Sequence, residues 1–192
     1  MTKIILASGS PRRKELLASL GINFEVHTKP IDESVGDSQP PHEAAQYLAH
    51  LKAKAFERSL AANELIITAD TVVIHDNKIL GKPADKAEAQ QMLRGLAGDT
   101  HEVVTGVCIY HQDRYDVFAE NTQVVMKPLS NEEIDYYIDR YQPFDKAGAY
   151  GIQEWIGMVG IERIEGDYYN VVGLPLHKLY AKLRTIAPQL WD

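Results

Sequence analysis

Apolar positions along the chain follow two periods, and their alternation predicts the elements. Residues 3–8 hold the continuous run Ile4 to Ala7, which reads as a short buried strand. Ser8-Gly9-Ser10-Pro11 interrupts it, with Ser10 as N-cap and Pro11 at the first helical position. Leu16, Leu17 and Leu20 give that helix an apolar face, and Gly21 is a natural stop. A short strand is expected over residues 23–27, a polar loop over 29–41 and a helix over 42–62, where Ala45, Leu48, Ala49, Lys52 and Ala55 fall near helical spacing. Residues 65–75 alternate and are rich in Ile and Val, so they form a strand that turns at Asp76-Asn77-Lys78 and returns through Ile79-Leu80.

The second half continues in the same way. A helix is expected over residues 84–96, ended by Gly98. Residues 103–111 and 115–127 form a long antiparallel pair around Gln112 to Arg114. Ser130 caps a helix to about Tyr141, with Glu133 completing a capping box. Residues 143–153 are irregular and Gly-rich. Residues 157–164 and 168–172 read as paired strands around Glu165-Gly166-Asp167, and Pro175 opens a final helix. No repeat, low-complexity tract or linker divides the chain, so residues 1–192 form a single domain. Hairpins mixed with helices imply an α/β fold with a mixed, twisted sheet.

Composition narrows the function classes. A net charge of −7 argues against binding to a nucleic-acid backbone, which usually calls for a basic surface, and is compatible with a small basic pocket for one phosphorylated ligand. Cys108 is the one cysteine; it sits in an apolar stretch and reads as a core residue. A low cysteine count fits a reducing compartment, and no targeting or membrane-spanning stretch is visible, so the cytoplasm is the expected location.

Six short segments carry candidate chemistry. In Ser8-Gly9-Ser10-Pro11-Arg12-Arg13, a strand enters a turn that opens a helix, an arrangement that favours an anion at the backbone N–H groups and guanidinium groups. A capped helix with a solvated basic first turn is the plainer reading. Asp70, in Ala69-Asp70-Thr71-Val72-Val73, is a carboxylate in an apolar strand, which suits a metal or an ion pair, or else the solvent face of a half-buried strand. Asp32-Glu33 offers a second carboxylate or an ordinary loop charge. Lys52, Lys54 and Lys82, the last between Gly81 and Pro83, are cations for phosphate or simply solvated. Residues 145–153 suit a binding loop or a tight corner. The spacing is not that of a Walker loop, no Gly-x-Ser-x-Gly elbow occurs, and His42, His50, His101 and His111 are scattered. Oxygen ligands suited to Mg²⁺ or Mn²⁺ remain, beside basic groups suited to phosphates.

Taken together, the segment from Ser8 to Leu17, Lys52-Ala53-Lys54-Ala55, Ala69 to Val73, Gly81-Lys82-Pro83, residues 145–153 and Val172-Gly173-Leu174-Pro175 resemble the Maf family of nucleotide pyrophosphatases over nearly the whole chain. One departure is Thr68, where that family often has Gly. The resemblance implies a two-lobed α/β fold, like that of inosine triphosphate pyrophosphatases, with a cleft across the sheet. It also implies Asp70 as proton acceptor, a divalent cation, and a homodimer. The subgroup resembled acts on dTTP and UTP and is marked by Arg12, Thr71 and Gln153. On this basis Asp70, Glu33, Lys52 and Lys82 form the expected catalytic set, with Asp70 and Glu33 as metal ligands. Ser8, Arg12, Arg13, Thr71 and Gln153 are the expected substrate contacts. A regulator of septum formation acting through a partner, and a purine triphosphate pyrophosphatase, are the competing readings.

Overall fold

The computed structural model describes residues 2–32, 39–57 and 60–191. Among these, the strands are β1 (Lys3–Leu6), β2 (Phe24–Val26), β3 (Glu64–His75), β4 (Lys78–Leu80), β5 (Thr100–His111), β6 (Arg114–Met126) and β7 (Ile161–Glu165). The helices are α1 (Pro11–Ala18), α2 (Pro41–Lys54), α3 (Lys86–Leu96), α4 (Asn131–Tyr141), α5 (Trp155–Gly160), α6 (Tyr168–Val172) and α7 (Leu176–Ile186). The strand order is β2-β1-β3-β5-β6-β7, with β4 pairing β3 at the side. The sheet is mixed, as the hairpins imply: β1 runs parallel to β2 and β3, whereas β4 on β3 and β7 on β6 are antiparallel.

The chain divides into two compact units, and β3, β5 and β6 each run on from one into the other. The first comprises Met1–Asp70, Thr105–Glu120 and Gly173–Asp192. Its β1 lies between two parallel neighbours, so Ile4, Ile5 and Leu6 are all buried, which accounts for an unbroken apolar run. Ala49, Ala53 and Phe56 pack with Ile5, Ile66, Cys108 and Tyr110. Cys108 is the core residue expected; burial pushes its thiol up to about 12, which makes it a poor nucleophile. Gln112 (φ 49°) and Asp113 (φ 60°) turn β5 into β6 with the paired positive φ of a tight hairpin.

The second unit comprises Thr71–Val104 and Asn121–Val172. Asp76 (φ 50°) and Asn77 (φ 58°) make the turn from β3 to β4. Val73, Val103 and Val124 form a core against Leu80, Ala147, Ile161 and Val171. Ser130 and Glu133 cap α4 reciprocally.

Two expected elements differ. The helix expected over residues 42–62 ends at Lys54, because the chain turns at Ala55 and sends Phe56 into the core. The expected hairpin of residues 157–164 with 168–172 is absent: residues 157–160 belong to α5, β7 pairs with β6, and residues 168–172 are helical. The cause is Asp167. Its carboxylate accepts from the Tyr169 N–H at 2.8 Å and its own N–H donates to Thr122 Oγ1 at 3.0 Å, which starts a helical turn. That turn delivers Asn170 to the interior, where its amide donates to the Val103 carbonyl at 2.9 Å and to Thr122 at 2.8 Å. These contacts outweigh the strand propensity of Tyr and Val.

Candidate active site

In the first unit, the turn after β1 folds back on its own side chains. Ser10 is the N-cap of α1 and its hydroxyl accepts from the Arg13 N–H. Arg13 then reaches across the unit: Nε donates to the Gly173 carbonyl at 2.8 Å, and Nη1 donates to Ser8 Oγ at 3.4 Å. Ser8 is buried, and Arg12 and Arg13 are half-buried. The first turn of α1 carries no acid, so a helix N-terminus and two guanidinium groups concentrate positive charge at one place. Alone, that is unfavourable for the helix; with an anion present, the same groups become complementary.

Lys52 and Asp70 are also brought together in this unit. Nζ donates to Asp70 Oδ1 at 2.5 Å, with the two side chains 15% and 13% exposed, so the pair is largely screened from water. Two neighbours fix its geometry. Gly106 on β5 lets α2 lie close, since a Cβ there would run into the Ala45 backbone. Thr68, fully buried, donates its hydroxyl to the Ala49 carbonyl at 2.6 Å. Thr68 and Asp70 share one face of β3, and Ala49 and Lys52 lie one turn apart on α2, so two bonds clamp the helix to the strand. The departure at Thr68 is therefore a structural link. Thr68→Val keeps the shape and loses the bond; the expected cost is about 0.5–1.5 kcal/mol, checked by chemical denaturation.

In the second unit, Lys82 is exposed, and the Gly148 N–H donates to the Gly81 carbonyl at 3.0 Å. That bond holds the Gly81-Lys82-Pro83 segment against the Gly148 corner. Gly148 (φ 68°) has the backbone that favours glycine, and a Cβ there would meet Val73 at 3.0 Å. Thr71 follows Asp70 directly, but the two-residue period of a strand turns consecutive side chains to opposite faces, so Thr71 shares its face with Val73. Gln153 is exposed in a turn and makes no side-chain hydrogen bond among the described residues. Gln153 therefore does not tie down its own loop through its side chain among the described residues. The loop is tied by Tyr137, Lys146 and Glu154, of which only Lys146 lies in a segment the sequence singled out.

A family model described as "Maf-like protein" matches residues 3–186. The chain belongs to the Maf family. Among its relatives is a protein of Bacteroides fragilis strain YCH46, 49% identical over 185 residues and 96% of both chains. Another, from Porphyromonas gingivalis strain ATCC 33277, is 53% identical over 185 residues, 95% of this chain and 93% of the relative. Both are described as dTTP/UTP pyrophosphatases. A distant likeness in fold, with TM-score 0.45 and 15% identity over 65% of this chain and 72% of the other, is to the Ham1 protein of Staphylococcus aureus.

In this Maf chain, Glu33 lies outside the described residues. Among the described residues, no three His, Cys, Asp or Glu side chains gather into a metal cage. Mg²⁺ commonly takes only one or two carboxylates and completes its shell with phosphate oxygens and water. The Asp70 carboxylate fits a cation held in that way. No helix of the Maf chain is long and apolar enough to cross a membrane. A buried lysine such as Lys146 carried no local signal, because its partner Glu154 lies eight residues downstream and is held in turn by Tyr137 of α4.

Proposed function

We propose that this chain hydrolyses dTTP and UTP to the nucleoside monophosphate and pyrophosphate. The observation that carries the reading is the screened Lys52–Asp70 pair, in a Maf chain whose relatives at about half identity are described as dTTP/UTP pyrophosphatases. Asp70 accepts a proton from the attacking water. The water oxygen bonds to the α-phosphorus, the α–β phosphoanhydride bond breaks, and pyrophosphate leaves. Arg13, Lys52 and Lys82 neutralise phosphate oxygens as charge shifts toward the leaving group. Ser8 and Arg12 hold the substrate. Asp70 and Glu33 would hold Mg²⁺ or Mn²⁺, which supplies positive charge against the triphosphate oxygens. Residues 1–192 work as one catalytic domain in the cytoplasm, as a homodimer, for which sedimentation should give about twice 21.5 kDa. The test is pyrophosphate release over a nucleotide panel with Mg²⁺. Release from dTTP and UTP is expected; release from ITP alone, or from no nucleotide, would overturn the reading.

A pyrimidine edge offers carbonyl oxygens and one ring N–H, so its reader needs both a donor and an acceptor. The Gln153 amide has both, Thr71 serves either way, and Arg12 donates. Gln153→Ala and Thr71→Ala are expected to lower the preference for dTTP and UTP over GTP and ITP, because an unpaired buried polar group costs about 1–3 kcal/mol. The check is kcat/KM for the four nucleotides; a uniform fall with unchanged ratios would assign these residues to shape alone.

A further inference from the structure

Residues 151–154 form a tight turn, closed by the Glu154 N–H donating to the Gly151 carbonyl at 3.0 Å, with Ile152 and Gln153 at its corners. One hydroxyl pins both ends of that turn. Tyr137 Oη donates to Glu154 Oε2 and accepts from the Gly151 N–H at 3.0 Å. Lys146 completes the arrangement, with Nζ 3.1 Å from Glu154 Oε1 and 2.8 Å from Asp145 Oδ1. Tyr137 is fully buried on α4, and Lys146 is a charged residue only 8% exposed. Burial, then the bond to Glu154, pushes the Tyr137 hydroxyl above its ordinary range, so it stays a donor. There is no slack at the near end: a Cβ on Gly151 would lie 2.9 Å from Glu154 Cδ and 3.1 Å from Lys146 Cε. An ion pair to a buried lysine and a buried hydroxyl thus converge on Gly151 and Glu154, which bracket Ile152 and the exposed Gln153, itself bonded to nothing described.

We propose that Tyr137, Glu154 and Lys146 are positioning residues that set where the Gln153 amide stands, and through it which nucleobase the enzyme accepts. The proposal rests on the reading that Gln153 meets the base. Specificity from hydrogen bonds requires donors and acceptors at fixed points, and a turn held at both ends by buried groups supplies a fixed point on an otherwise irregular segment.

The test is a double-mutant cycle on selectivity. Wild type, Tyr137→Phe, Gln153→Ala and the double variant are compared by kcat/KM for UTP against GTP, with thermal midpoints measured for each. Tyr137→Phe keeps the ring and removes the pin, and is expected to lower the UTP-over-GTP ratio about tenfold. In its background, Gln153→Ala should change the ratio far less than in wild type, because both act through one amide. Glu154→Gln, close in size, is run through the same cycle in case Tyr137→Phe folds poorly. If Gln153→Ala alters selectivity while Tyr137→Phe and Glu154→Gln do not, or if the effects multiply independently, the brace is overturned and the base reading stands. If Gln153→Ala itself leaves the ratio unchanged, the base reading fails and the brace fails with it.

Discussion

Replacing Asp70 with Asn is expected to lower the turnover of UTP by roughly two to four orders of magnitude. The substitution is close to isosteric, and an amide oxygen can still accept the Lys52 ammonium that now sits 2.5 Å from Oδ1. The packing of α2 is held independently by the Thr68 bond from β3 and by the close approach at Gly106 of β5, so the fold should survive. What is lost is the ability to take a proton from water and the negative charge that draws a cation. Lys52 then faces a neutral partner, which removes half of a largely screened pair and leaves the other half poorly compensated. Pyrophosphate release at saturating UTP measures the effect, with the thermal midpoint as a control on folding. Near-normal turnover in a folded Asp70→Asn would remove Asp70 from the chemistry.

Local signals made the elements of this fold readable wherever one segment carried the whole instruction. The Ser10–Pro11 start of α1, the Ser130–Glu133 capping box and the Asp76-Asn77 turn each depend on neighbours a few residues apart. The helical stretch over residues 168–172 was not readable, because Asn170 is placed by Val103 and Thr122, which are distant in sequence. The early end of α2 has the same origin: Phe56 joins the Ile5 and Ile66 cluster, and no helix-stop residue marks the place.

The candidate site divides along the same line. Ser8 and Arg13 belong to one motif and Lys52 and Asp70 to two, and the structure joins each pair within one unit. Beside these pairs, Gly173 gives Arg13 a backbone carbonyl and Thr68 ties β3 to α2 through a buried hydroxyl, contributions that residue type alone does not announce. Thr71 shows a limit of reading by adjacency. It is next to Asp70 in the chain, but strand alternation turns consecutive side chains to opposite faces, so adjacency alone does not bring the hydroxyl to the acid.

Acid should destabilise the fold in a window set by His101. Its ring is 2% exposed, and Nε2 lies 2.7 Å from the Tyr150 hydroxyl, itself buried. Burial first, then the nearby His75, pushes the His101 pKa down from 6.5 to about 4, with Asp99 acting weakly the other way. The sign follows from the proton count. Between 6.5 and about 4 the unfolded chain binds a proton on this ring that the folded chain does not, so stability rises with pH across that window. The contribution is complete above 6.5 and is lost as pH falls toward about 4. The loss is about 2 kcal/mol by roughly pH 5 and about 3 kcal/mol once the folded state also titrates. Glu25, Glu64, Asp99 and Glu132 have carboxyls held below their ordinary values, so the stability they add is lost at lower pH than that from the upper part of the His101 window. Denaturation midpoints at pH 7 and pH 5 isolate the ring when wild type is compared with His101→Gln. The variant should lose less stability than wild type between the two pH values, by about 2 kcal/mol. Equal losses in the two proteins would show that His101 titrates alike in the folded and unfolded chain, and that its burial imposes no cost on charging the ring.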